Sequence, residues 1–380
     1  MIRFLHTADW QLGMKRYFLS QGTQERYAQA RFEALRTIGR VAKEHDCRFI
    51  LACGDSFESN QVDRATVAKA LDALREVSVP VFMLPGNHDP LNAVSVYRST
   101  AFAERCPGNV FVVDSSAPRK VGEEVEIVGA PWLSKRPAAN PLEEVVRALG
   151  RPPGGSVRIV MAHGAMDAMS PDPDAPGVIR RDMLEEAIGQ GKVHFFALGD
   201  RHSLTKIGEG DRIWYSGTPE PTDFAETRSG FVQVVEVAPD RVSAFPVKVG
   251  TWRFIERSRV DLDCTGDIER LAAWLDSLER KDLTIVRLKL FGSLSLSLKT
   301  LLDTHLCAAR DVFAALEVLE EDLLVVPDTE DFSSFGFSGF AAATLQRLRS
   351  AIEKGPPEQA GSARDALMLL ARLAGTGGAR

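Results

Sequence analysis

Two short runs decide the fold: Gly54-Asp55-Ser56-Phe57-Glu58, which closes the apolar stretch Phe49-Ile50-Leu51-Ala52-Cys53, and Gly86-Asn87-His88-Asp89, which closes residues 79–84. An uninterrupted apolar run reads as a strand buried on both faces. A glycine followed by a carboxylate or an amide then turns off its carboxyl end. Working outward, the arrangement repeats. Residues 2–7 lead into Asp9-Trp10-Gln11, residues 157–162 into His163-Gly164, and residues 194–198 into Gly199-Asp200-Arg201-His202. Helical spacing runs over 23–45, with Phe32, Leu35, Ile38 and Val41 on one face, and over 62–77. Further strands are expected at 110–113 and 125–129, and then at 213–216, 231–237 and 241–249 without long helices between them. Alternation early and strands late predicts an α/β fold built as a layered sandwich, not a purely parallel sheet. Asp9, Asp55, Asn87, His163 and Asp200 fall at the carboxyl ends of strands, the edge at which open α/β sheets bind ligands.

The residue types at that edge suit one chemistry. Phosphodiester hydrolysis needs an activated water, a clamp on the phosphoryl oxygens and help for the leaving oxygen, which two divalent ions about 3.5–4 Å apart supply. Such a pair requires a carboxylate shared by both ions, and Asp55 fits by its place among the other candidates. Asp9, Gln11 and His202 complete one shell, and Asn87, His163 and Asp200 the other. Gly54, Gly86 and Gly199 are expected to allow tight turns. For Gln11 and Asp200 the alternative is a hydrogen bond to a ligand instead of the ion. His6 reads as a core histidine and Cys53 as a buried strand residue.

These five runs, in this order, resemble the calcineurin-like metallophosphoesterases, whose pattern is Asp-x-His, Gly-Asp-x-x-Asp, Gly-Asn-His-Asp or Glu, Gly-His, then Gly-His-x-His. Within that class, Phe4-Leu5-His6-Thr7-Ala8-Asp9-Trp10-Gln11-Leu12-Gly13 and Tyr215-Ser216-Gly217-Thr218-Pro219-Glu220 are similar to the SbcD nuclease subunits, which pair with the ATPase SbcC. The resemblance covers roughly residues 1–250 and continues beyond only as architecture. It implies an α/β/β/α sandwich, a small α+β capping domain and a helical tail that binds the ATPase. It also implies a two-metal-dependent DNA exo- and endonuclease serving double-strand-break repair, and it allows a homodimer. In the family the histidine at His88 does not ligate; it contacts the phosphate and protonates the leaving oxygen. Its acidic partner would here be Glu58. The chain departs from the family in having Gln11 and Asp200 for histidines and Glu58 for aspartate. More oxygen and less nitrogen in the site favours Mn2+, or Mg2+, over zinc.

The rest of the chain sets the organisation. Residues 1–250 form the nuclease-like domain. Residues 251–327 read as a small α+β domain: strands at 253–262 and 283–290, helices at 267–278 and 294–316, and a strand opening at 317–319. Residues 328–380 begin with a phenylalanine-rich run at 332–340. Helical stripes follow at Ala341, Leu345, Leu348 and Ile352 and at 365–373, separated by Gly355-Pro356-Pro357. Five cysteines without a CxxC pair argue against a disulfide framework or zinc ribbon. With no signal-like start and no long apolar run, a cytoplasmic location without membrane insertion is expected. A net charge of −6 leaves DNA binding to a local basic patch or to the partner; Lys15, Arg16, Lys135, Arg136, Arg180, Arg181, Arg201 and Lys206 are the loop cations available. Two other functions stay open: a small-molecule phosphodiesterase and a weakly catalytic DNA-binding subunit.

Overall fold

A computed structural model describes residues 1–326, 339–356, 359–363, 366–367 and 369–370. Most of the phenylalanine-rich run and the end from 371 on lie outside the described residues. The chain divides into two compact units, Met1–Arg253 and Phe254–Arg380.

Among the described residues, the first unit holds two six-stranded sheets. One is built on the parallel strands β1 (Ile2–Thr7), β2 (Ile50–Cys53), β3 (Val81–Leu84) and β4 (Val110–Val112). The antiparallel strands β11 (Phe231–Val237) and β12 (Val242–Lys248) extend it beyond β1. In the other, β6 (Val125–Gly129), β7 (Val157–His163), β8 (Phe195–Gly199) and β10 (Ile213–Tyr215) run parallel, edged by β5 (Arg119–Val121) and β9 (Thr205–Lys206).

The sheets face each other across a core in which Phe4 stacks on Phe49 with ring centroids 5.3 Å apart and Phe195 meets Phe4 edge-on. The outer face of the first sheet is covered by α1 (Gln21–Glu44) and α2 (Arg64–Arg75). The outer face of the second is covered by α4 (Pro141–Ala148) and α5 (Arg181–Gly189); α3 (Thr100–Ala103) is a single turn. This is the expected α/β/β/α order. The central parallel strands are largely apolar on both sides because each sheet has a core on both faces; Glu126 of β6 and Arg158 of β7 are exceptions, paired with each other in a buried salt bridge. His6 and Cys53 are fully buried, as read from the sequence.

Differences from the sequence reading are local. Helices α4 and α5 carry no expectation above, although Asn140 caps α4 by accepting from the Leu142 N–H and Pro141 opens it. In the second unit, β13 (Arg253–Leu262), β14 (Thr284–Leu294) and β15 (Ala315–Val325) form a sheet. Helices α6 (Thr265–Ser277) and α7 (Leu296–Val312) pack with it. The helix begins at 296, not 294, because Ser295 caps it by accepting from the Leu298 N–H. β15 is far longer than the expected start at 317–319: its parallel pairing with β14 organises a stretch whose Glu320-Glu321-Asp322 hides the strand pattern. The tail contributes α8 (Gly339–Lys354).

Candidate metal centre

Parallel strands present their carboxyl ends on a common edge, and there the structure gathers the expected residues. Asp9 and Gln11 follow β1, Asp55 follows β2, Asn87 and His88 follow β3, His163 ends β7, and Asp200 and His202 follow β8. The loops are tied by their backbones: the Asp9 N–H donates to the Gly54 carbonyl, that of Gln11 to Asp55, and that of Gly164 to Gly199.

Side-chain direction is enforced by backbone conformation. Asp9 (φ 53°), Gln11 (φ 49°), Asp55 (φ 51°) and Asp200 (φ 101°) are four of the six non-glycine residues with positive φ among those described. That conformation costs about 1 kcal/mol at each. Of the three glycines, Gly54 (φ 88°) has the left-handed backbone of a tight turn. Gly86 and Gly199 are needed for room: a Cβ on Gly86 would collide with Asp55, and one on Gly199 with the Cys53 carbonyl.

Asp55 lies at the centre. Its Oδ1 is 3.4 Å from His163 Nε2 and accepts from the His88 N–H at 2.9 Å. Its Oδ2 accepts from Gln11 Nε2 at 3.2 Å and lies 3.9 Å from His88 Nε2. One oxygen thus faces the side of His163 and Asn87, the other the side of Gln11. On that side, Asp9 Oδ1 is 3.9 Å from His202 Nε2, and the Asp200 N–H reaches both Asp9 oxygens at 3.1 Å.

Two observations test whether these residues suit a metal. His163 Nδ1 donates to the Cys53 carbonyl at 2.9 Å, which in the neutral ring leaves Nε2 as a lone pair. That lone pair faces Asn87 Oδ1 at 2.8 Å, Asp55 Oδ1 at 3.4 Å and Asp200 Oδ1 at 3.8 Å. Such a set is repulsive unless Nε2 takes up a proton or a cation sits among the atoms. Gln11 Oε1, in a side chain only 1% exposed, is buried with no hydrogen-bond partner. A buried carbonyl oxygen without a partner costs about 1–3 kcal/mol, and an ion at that point would relieve it. Ligating atoms of Asp9, Asp55 and His163 lie within 4.8 Å of one another. The residues fit divalent ions.

The electrostatics agree. Burial pushes the Asp9 carboxyl up to about 7; His202 and His163 pull it down, and Asp55 and Asp200 push it up again. Burial also raises Asp200. Asp55 resists its burial and stays below the ordinary value through His163 and the His88 N–H. Burial depresses His163 and His202, but the surrounding carboxylates outweigh it and both are raised. Two buried carboxylates, Asp9 and Asp55, with the partly exposed Asp200 beside them demand positive charge.

Glu58 meets His88 through its backbone: its carbonyl accepts from His88 Nδ1 at 3.0 Å. Three supporting residues escaped the sequence reading. Glu226 and Thr222 hold His202 Nδ1 at 3.0 and 2.7 Å, turning Nε2 toward Asp9. The fully buried Asp89 accepts from the Gly86 N–H at 2.7 Å, the Phe57 N–H at 3.0 Å and the Tyr97 hydroxyl at 2.6 Å, so it pins the two deciding loops to each other. Asp89 was visible in its run, whereas nothing local marks Glu226. Of the loop cations, Arg180, Arg181 and Lys206 sit in ion pairs with neighbouring acids.

Comparison with known proteins finds a family model described as calcineurin-like phosphoesterase matching residues 2–203. The chain is 26% identical to the DNA double-strand break repair protein Mre11 of Archaeoglobus fulgidus, over 63% of this chain and 59% of that one. It is 24% identical to the uncharacterized metallophosphoesterase YhaO of Bacillus subtilis, over 64% and 59%. The chain therefore spans about 59% of the length of these relatives. Among solved structures, TT1561 of Thermus thermophilus aligns with a TM-score of 0.42 at 10% identity, over 65% of this chain and 99% of that one. No helix among the described residues is long and apolar enough to cross a membrane.

Proposed function

The chain belongs to the calcineurin-like phosphoesterase family, and on that premise we propose that it is a two-metal phosphodiesterase that cuts DNA, with an SbcC-like ATPase as partner in double-strand-break repair. The observation that carries the reading is the gathering around Asp55 of candidate ligands from four other strand ends, those of β1, β3, β7 and β8. The relatives named as double-strand break repair proteins support DNA as the substrate. The family implies a metal-dependent hydrolase.

Asp9, Gln11 and His202 would hold one ion, Asn87, His163 and Asp200 the other, and Asp55 both. Bound there, the ions supply an activated water and a clamp on the phosphoryl oxygens. The oxygen-rich set suits Mn2+ best, with Mg2+ the alternative. The chain's own work is positional. Glu226 and Thr222 orient His202, Cys53 orients His163, and the left-handed backbones aim Asp9, Gln11, Asp55 and Asp200. The Glu58 carbonyl occupies Nδ1 of His88, so the proton for the leaving oxygen is carried on Nε2. With a net charge of −6, holding the DNA falls to a local basic patch or to the partner. A cytoplasmic location and a homodimer belong to the same proposal.

The test is hydrolysis of linear and plasmid DNA and of a chromogenic phosphodiester with Mn2+, using the wild type and Asp55→Ala. Metal-dependent cleavage of both substrate types, lost in the variant, is the expected result. Cleavage of the ester alone would replace the proposal with a small-molecule phosphodiesterase, and cleavage of neither with a binding subunit.

A further inference from the structure

Arg31 lies on α1, facing inward, and is only 2% exposed. Its guanidinium is shared between two loops. Nη1 donates to the Trp10 carbonyl at 3.0 Å, and Nη2 to the Tyr27 hydroxyl at 2.6 Å and the Pro221 carbonyl at 3.2 Å. The Tyr27 hydroxyl donates to the same Pro221 carbonyl at 2.6 Å, and the guanidinium carbon lies 4.8 Å from the Tyr27 ring centre. These hydrogen bonds go to carbonyls and a phenol, with Met14 Sδ at 3.7 Å as a further acceptor. A buried charge is costly unless it is paired and hydrogen-bonded; the buried Glu220 carboxylate interacts with Arg31 electrostatically, while the hydrogen bonds fix where the guanidinium sits.

The two carbonyls are not arbitrary. Trp10 stands between Asp9 and Gln11, both held in left-handed backbone. Pro221 precedes Thr222, whose hydroxyl lies 2.7 Å from His202 Nδ1 and whose N–H donates to Glu226 at 3.0 Å. One cation therefore grips both halves of the Asp9, Gln11 and His202 shell. Of the other shell, Asn87 follows β3 and His163 ends β7 with its ring on the Cys53 carbonyl, outside this grip, while Asp200 meets Asp9 through its backbone N–H.

We propose that Arg31, seated by Tyr27, is a positioning residue for one of the two metal subsites, the one formed by Asp9, Gln11 and His202, and not for the other. A lysine could not span both carbonyls, since it lacks the planar fork. Losing a partner that orients ligands costs about 10–100-fold in metal affinity. The proposal rests on the two-ion reading above.

The test is calorimetric titration of the full chain with Mn2+, in the wild type, Arg31→Lys, Arg31→Met and Tyr27→Phe, with near-ultraviolet circular dichroism as the check of folding. The expected result is two ions in the wild type. In both Arg31 variants one ion should weaken at least about tenfold while the other is unchanged, with a smaller shift in the same step for Tyr27→Phe. A wild type that does not bind two ions would overturn both the functional reading and this inference. Two ions in the wild type with equal weakening of both steps, or of neither, would overturn this inference alone. If Arg31→Met does not fold, Arg31→Lys and Tyr27→Phe decide by the same split.

Discussion

His88 Nδ1 donates to the backbone carbonyl of Glu58 at 3.0 Å, while the Glu58 carboxylate oxygen Oε2 is buried with no hydrogen-bond partner. The ring is therefore fixed by a main-chain atom that any residue at position 58 supplies. Aspartate at this position in the family and Glu58 here become interchangeable for that purpose. Glu58→Gln is expected to change turnover by less than about threefold, below ~0.7 kcal/mol. His88→Ala is expected to keep metal binding and lose about 10²–10⁴ in turnover. Steady-state kinetics alongside calorimetry checks both. A large loss in Glu58→Gln would return the role to the carboxylate, and loss of metal in His88→Ala would make His88 a ligand.

Under the proposed function, Gln11 and Asp200 should set the metal preference. Gln11 offers a carbonyl oxygen left without a partner, and Asp200 Oδ1 lies 3.8 Å from His163 Nε2. With these oxygens in place, Mn2+ should activate best and zinc poorly. Replacing both by histidine restores two nitrogen donors and should move the preference toward softer ions. An activity series over Mg2+, Mn2+, Co2+ and Zn2+ measures it. An identical order in the double variant would remove these two residues from the metal shells.

The fold and the site differed in how far they could be read. Apolar runs such as 49–53, and 157–162 broken by Arg158 alone, announced the central strands, because both faces of each sheet are buried. The candidate ligands were legible because each follows such a strand directly. The helpers were not. Glu226 reaches His202 from 24 residues away, and Arg31 reads simply as a polar residue within an amphipathic helix. Gly86 and Gly199 were expected to serve as turns; their reason is the close approach of a second loop, which no local pattern encodes. β15 was obscured because its partly exposed acidic residues break the alternation that a strand displays.

His6, not itself a candidate ligand, offers a pH test. It is fully buried, and its Nε2 lies 3.1 Å from the Leu198 carbonyl. Burial lowers its pKa from 6.5 to about 4, against a smaller upward pull from that carbonyl. The folded state thus keeps the ring neutral where the unfolded chain protonates it. Stability from this site is fully present above 6.5 and declines as pH falls from 6.5 toward 4, by about 3 kcal/mol in all. Urea unfolding at several pH values should give the wild type a steeper loss across that window than His6→Asn, by up to about one proton. The other acids titrate in both proteins, so the difference isolates His6. Equal slopes would mean that the ring does not titrate on unfolding.

In the tail, Leu367 is 3% exposed, packed with Leu345, Leu348, Ile352, Leu370 and Leu296. The expected helical stripes therefore meet each other and the first residue of α7, which uses part of their apolar surface. The main core of the second unit is separate: Val260, Leu271, Val286, Leu288 and Leu302 pack together without a tail residue. All candidate ligands precede residue 203. Truncation after Pro327 should then leave a folded protein that binds two ions, with a melting temperature lowered by only a few degrees, about 1 kcal/mol for a domain of this size. Under the proposed function it should no longer bind an SbcC-like ATPase from the same genome. A pull-down and a thermal melt on the truncated protein separate the outcomes. Retained partner binding would move the docking surface off the tail. A melting temperature that collapses would mean that the leucines around Leu367 serve this chain's own stability, with the partner bound elsewhere.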